Sequence, residues 1–62
     1  MNQIQLDEIW QKHLDKKDLG SIDIAATADE DGNDRIQKDR TVWERKKGSK
    51  IWTEVPPLQG NL

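Results

Sequence analysis

The chain has 62 residues, no cysteine, 35% charged residues and a formal net charge of −2. That length allows one domain at most, near the lower limit for folding without staples, and without cysteine there is neither a disulfide frame nor a thiolate zinc site. No apolar stretch approaches the roughly 20 residues of a membrane span, and the start, MNQIQLDEIW, lacks a basic region followed by an apolar run, so neither a spanning helix nor a signal peptide is expected.

Leu, Ile and Val total 13 residues and Phe is absent, just above the level at which a chain buries too little apolar surface to fold. Three tryptophans tip the balance toward folding, because each can bury on the order of 200 Å². The expectation is a soluble cytoplasmic protein, of a size common among small bacterial and viral proteins. Its charge is unevenly spread: residues 1–34 carry nine acids against three lysines, and residues 35–50 seven bases against two acids. A nearly neutral total therefore hides an acidic first half and a basic second one.

Residues 5–18 read as a helix. Leu6, Ile9, Trp10, His13 and Leu14 form one stripe at helical spacing. Asp7 and Glu8 fall in its first turn and Lys16 and Lys17 in its last, matching the helix dipole. Glu8 and Lys12 are a favourable i,i+4 pair. Gly20 suits the left-handed residue that ends a helix. Asn2 can cap the start with Gln5 three places on, although a start near Leu6 fits the spacing equally well.

Residues 21–28 alternate Ile22, Ile24, Ala26 and Ala28 with Asp23, Ala25 and Thr27, the periodicity of a strand with one apolar face. DEDGN at 29–33 reads as a turn centred on Asp31-Gly32. From Asp34 a second strand is expected. The rival is a helix over 34–47, capped by Asn33 and stopped by Gly48, but its apolar face would be only Ile36 and Trp43.

TVWERKKGSKIWTEV at 41–55 has the form of a hairpin around Gly48. A two-residue turn at Gly48-Ser49 sets Val42 opposite Val55 and Arg45 opposite Trp52; a four-residue loop over 46–49 sets Trp43 opposite Trp52 and keeps the same faces. Parity then gathers Ile22, Ile24, Ala26, Ile36, Val42, Ile51, Thr53 and Val55 on one side of the sheet. Trp43, Arg45 and Trp52 fall on the other. A three-residue loop makes better charge pairs but scatters the aliphatics. Cross-strand pairs contribute about 0.2–1 kcal/mol, against roughly 1.5–3 kcal/mol for burying one aliphatic side chain, so burial decides.

The predicted fold class is α+β: an N-terminal amphipathic helix packed on a three-stranded antiparallel β-meander, with Leu6, Ile9, Trp10 and Leu14 on the aliphatic face. The domain is expected to span residues 1–55. Pro56 and Pro57 end the last strand, and 56–62 form a flexible tail.

No catalytic, cofactor or metal site is expected. His13, the single histidine, lies on the apolar side of the helix and has no evident catalytic partner. Asp29, Asp31 and Asn33 open like a calcium loop, but the sixth and twelfth positions, which require glycine and glutamate, hold Asp34 and Arg40. The carboxylate pairs Asp7/Glu8 and Asp15/Asp18 lie on an exposed helical surface, whereas acid–base catalysis needs one carboxyl in a dry cleft. What remains is Trp43, Trp52 and Arg45 on the outer sheet face, with Lys46, Lys47 and Lys50 at the turn. Tryptophan and arginine are the residues most enriched at protein hot spots. Aromatics beside cations also suit stacked single-stranded nucleic acid, although six excess negative charges in the first half repel phosphate. A structural use is also available, with Arg45 over Trp52 as a cation–π pair and Trp43 shielded by the tail or by a dimer mate. The functional expectation is a small non-enzymatic inhibitor, adaptor or accessory subunit that contacts a protein partner through these six residues. A nucleic-acid-binding hairpin is the alternative. The sequence leaves the oligomeric state open.

Overall fold

A computed structural model describes residues 1–56 of the chain; the expected tail lies outside the described residues apart from Pro56. Helix α1 (Gln3–Leu14) is followed by strands β1 (Ile24–Ala28), β2 (Asp34–Lys38), β3 (Thr41–Arg45) and β4 (Thr53–Val55). The strands form one antiparallel sheet in the order β1-β2-β3-β4. The α+β class stands, with four strands in place of three. The rival helix over 34–47 is not formed; the region is strand, as expected.

The start of α1 follows its sequence signal. The Asn2 side chain accepts from the Gln5 N–H at 2.8 Å, and Gln5 Oε1 accepts from the Asn2 N–H at 3.0 Å, which satisfies two of the helix's orphan donors. The end differs. Asp15 is the C-cap, and the left-handed residue that ends the helix is Lys16 at φ 58°, while Gly20, with φ 98°, lies downstream. The Lys16 N–H reaches the His13 carbonyl at 3.1 Å while the Lys17 N–H reaches that of Lys12 at 2.8 Å, the paired bonds of a Schellman ending. Asp7 and Glu8 thus fall beyond the first turn, and Lys16 and Lys17 beyond the helix. Leu14, expected in the core, is 57% exposed at the last helical position.

The additional strand arises because the chain reverses at Asp39-Arg40. Lys38 pairs with Thr41, leaving a two-residue loop whose first residue, Asp39, has φ 53°. Aspartate visits this region more readily than most residues. A two-residue loop also joins positions of opposite parity: Ile36 pairs with Trp43 and Gln37 with Val42, so Trp43 shares a face with Ile36. The 41–55 hairpin keeps its expected register, with Val42 opposite Val55, although its connection runs over 46–52 and its tight turn is at Lys47-Gly48, closed by the Ser49 N–H on the Lys46 carbonyl at 2.8 Å, not at Gly48-Ser49.

The faces are therefore exchanged along β3 and β4, and the predicted outer Trp/Arg surface is corrected. Trp43, Arg45 and Trp52 lie on the helix side; Val42 and Val55 lie on the open side with Ala25 and Thr27. Ile22 and Ile51 fall outside the strands and are exposed. The core is Leu6, Ile9 and Trp10 from α1 with Ile36 and Trp52, edged by Leu19, Ile24, Ala26 and Trp43. Two indoles present more apolar area than two valines, so the weight given to burial was right while the residues assigned to it were not.

Candidate functional site

Trp52, expected on the outer sheet face, is 1% exposed. Its ring meets Trp10 edge-on at 6.0 Å between centroids, and its Nε1–H donates to Asp7 Oδ1 at 2.9 Å. Its backbone is held as well. Gln3 Nε2 donates to the Trp52 carbonyl at 2.8 Å and the Trp52 N–H donates to Gln3 Oε1 at 2.7 Å. One side-chain amide thus does for Trp52 what a neighbouring strand would do, and it ties the first helical residue to the start of β4. Trp43 is half-buried against the core, and its buried Nε1 has no hydrogen-bond partner among the described residues.

Arg45 completes this cluster. Its guanidinium lies 4.7 Å from the Trp52 ring centre, the cation–π contact foreseen as a structural use of these residues. It donates to Asp34 Oδ2 from Nη2 at 2.6 Å and from Nε at 3.0 Å, and to Asp7 Oδ1 at 3.3 Å. Two carboxylates and a π face already occupy this cation.

The lysines lie elsewhere. Lys46, Lys47 and Lys50 are exposed. The Lys47 N–H donates to Asn33 Oδ1 at 3.0 Å, and its aliphatic stem lies over Gly32, where a Cβ would stand 3.1 Å from Lys47 Cδ. Gly32 also has φ +85°, so the backbone calls for glycine there, and a Cβ would press on the Lys47 stem. The basic 46–50 loop is thereby laid against the acidic 29–33 turn. Lys50 lines an open groove of about 400 Å³ with Asp7, Trp10, Gln11, Leu14 and Arg45. Of the six residues expected to form one face, three belong to the core cluster and three to an exposed loop.

The groove's Asp7 and Arg45 are paired with each other. The His13 ring lies against Trp10, tilted by 43° with centroids 4.8 Å apart. No group of three or more His, Asp or Glu placed to hold a metal occurs among the described residues. Asp29 organises its own turn: Oδ1 accepts from the N–H groups of Asp31 and Asn33, each at 2.9 Å, and Oδ2 accepts from Asn33 Nδ2 at 3.1 Å. The backbone hydrogen bond from Asn33 leads in holding its carboxyl below the ordinary 3.8. On the open sheet face the Glu44 carboxylate bonds Arg35 at 2.8 Å and raises the arginine's already high pKa.

The sheet's two edges differ sharply. β4 has three residues, ends at Pro56, and is preceded by Trp52, whose outward backbone groups Gln3 has taken. Short length, proline and cover are the usual means of blunting an edge. β1 has none of them. Its sequence, IAATA, is uncharged and proline-free, and its pairing to β2 runs without a bulge. The Asp39 N–H donates to Asp23 O and the Asp29 N–H to Asn33 O, so the odd-numbered residues of β1 direct their backbone toward β2. Hydrogen-bonded and non-bonded pairs alternate along an antiparallel ladder. Ile24, Ala26 and Ala28 therefore face outward. The Ile24 N–H reaches Ser21 O at 3.3 Å; both groups of Ala26 and of Ala28 have no partner among the described residues.

This edge was missed in the sequence, where 21–28 was weighed for its two faces only. The available signal was a five-residue strand without a charge in a chain that is one-third charged. No protein-family model, curated protein or solved structure matches the chain.

Proposed function

We propose that the chain is a small non-enzymatic protein, an inhibitor, adaptor or accessory subunit, that binds a protein partner by accepting an extended segment alongside β1. The open backbone of Ala26 and Ala28 carries this reading. An unblunted edge is a template for another strand, and strand addition is a recurrent mode of peptide recognition in which main-chain hydrogen bonds provide the affinity. Small side chains at 25–28 let a second backbone approach without steric hindrance, and the fully exposed Ile22 just before the strand offers an apolar anchor. A binding role also fits a chain whose groove is open and whose best-placed acid and base neutralise each other.

Trp52, which completes the core, would have to unfold to reach a partner, and Trp43 is half-buried at the core's edge, so this reading does not rest on the tryptophans. Nucleic acid keeps only Lys46, Lys47 and Lys50 in its favour. With Trp52 buried, the stacking surface that would accompany them is missing, and we place the protein partner first.

The test is selection of extended peptides on the wild-type chain from a displayed library, followed by binding to Ala28→Pro and Ala26→Pro. Proline at these positions removes an outward N–H and leaves the β1–β2 ladder bonded, as edge prolines do. Selected peptides should lose about tenfold or more in affinity on a variant whose melting temperature is kept. Undiminished binding to both variants would remove β1 from the reading.

A further inference from the structure

We infer that the segment seated on β1 is an extended strand of a partner protein with basic residues six positions apart, and that it is not a second copy of this chain. This rests on the edge reading above. The uncharged run IAATA is bracketed by acids: Asp23 precedes it, and Asp29, Glu30 and Asp31 follow. In an antiparallel strand paired through Ala26, the residues opposite positions 23 and 29, which flank β1, are six apart and share one side of the sheet; the Asp29 carboxylate there is held toward its own turn by Asp31 and Asn33. Lysine or arginine at both places makes two cross-strand charge pairs.

Other charges near the edge do not cancel this. Arg35 is taken by Glu44, Asp34 and Arg45 are bonded to each other, and Lys38 is opposite Ile24 on the helix side. Asp39 is bonded through its backbone to Asp23 and adds to the acid there, with Arg40 next to it in the loop. Lys47 crosses Gly32 and tempers the far side of the 29–33 turn. The hydrogen bonds that the Asp29 carboxylate accepts, that from the Asn33 backbone first, hold its pKa below the ordinary value, so it is charged at neutral pH.

The same bracket argues against self-pairing. Two copies of β1 in full antiparallel overlap about Ala26 set Asp23 of each against Asp29 of the other. Like charges directly opposite are destabilising, and the symmetric arrangement contains that clash twice. A shifted register relieves it only by giving up strand length that is short already.

The experiment uses the full chain and two synthetic heptapeptides, KVTVTVK and EVTVTVE, which place valine opposite Ile24, Ala26 and Ala28. Affinity is measured at low and high salt, with amide exchange at Ala26 and Ala28 as the positional readout. The lysine peptide should bind about tenfold tighter than the glutamate peptide at low salt. That ratio should shrink as salt screens the pairs, and exchange at both alanines should slow. Asp23→Asn, whose side chain makes no bond among the described residues, should lower the ratio by about threefold without moving the melting temperature. Equal binding of the two peptides with slowed exchange leaves the edge reading in place and overturns the charge inference. No protection by either peptide overturns both. Protection that grows with protein concentration alone, without peptide, identifies a second copy as the occupant and refutes the inference.

Discussion

Lys16 shows what a single backbone angle decides. Non-glycine residues in the left-handed region carry a strain of roughly 1–2 kcal/mol, and Lys16 occupies it at φ 58° as the residue that ends α1. Lys16→Gly should therefore stabilise the protein by about 0.5–1 kcal/mol, read as a rise in the denaturation midpoint. An unchanged or lowered midpoint would place the helix end elsewhere. Gln3 is the opposite case, a polar side chain that the fold depends on. Gln3→Ala leaves the Trp52 N–H and carbonyl without partners in a part-buried setting, which should cost about 1–3 kcal/mol. Gln3→Glu can replace the acceptor but not the donor and should fall between the two. The Asp29 carboxyl has a lowered pKa in the folded chain, so its contribution is fully present above the unfolded value of 3.8 and is lost as pH falls through the lower folded value. The melting-temperature advantage of wild type over Asp29→Ala should accordingly be constant at neutral pH and shrink in acid below 3.8. A constant difference across that range would show that the charge has no part in it.

At the scale of elements, the sequence was informative wherever a signal was local. The stripe of Leu6, Ile9 and Trp10 and the Asn2–Gln5 box were enough for the helix, and DEDGN for its turn. Its C-terminal limit was obscured because Gly20, the obvious terminator, lies downstream of a lysine that does the same work at a strain. The middle of the sheet was obscured for a related reason. Asp39-Arg40 contains no glycine, asparagine or proline, so only the aspartate marks a reversal, and weakly. Reading 34–45 as a single strand then transferred a correct parity argument to the wrong face, since the unseen loop exchanges odd and even positions. The register Val42 opposite Val55 was legible, but which side of that pair faced the helix was not. The tryptophans were assigned outward by parity alone, and the candidate surface followed them. Exchanging Asp39 for glycine, which adopts positive φ freely, should stabilise this hairpin by about 0.5–1 kcal/mol while the Ile36–Trp43 contact persists in nuclear Overhauser spectra. Loss of that contact would mean that the two-residue loop is not what sets the faces.

For the whole molecule, the uneven charge of the sequence becomes an internal arrangement. Arg45, from the basic half, is bonded to Asp7 and Asp34 of the acidic half, and the 46–50 loop lies on the 29–33 turn. Exposed ion pairs contribute little, but Arg45 also covers Trp52, so its replacement removes a carboxylate partner and a packing surface together. Among the acids without an ion-pair partner are those bordering β1, beside a strand whose outward groups at Ala26 and Ala28 have no partner among the described residues. Fold and charge thus converge on an edge that was not legible as a motif.

Amide exchange along β1 tests this most directly. In the isolated chain the N–H groups of Ala25 and Thr27, bonded to β2, should exchange slowly, and those of Ala26 and Ala28 fast. A bound extended peptide should slow the second pair and leave the first unchanged. Slow exchange at Ala26 and Ala28 in the isolated chain would contradict the claim, because the edge offered to a partner would already be closed.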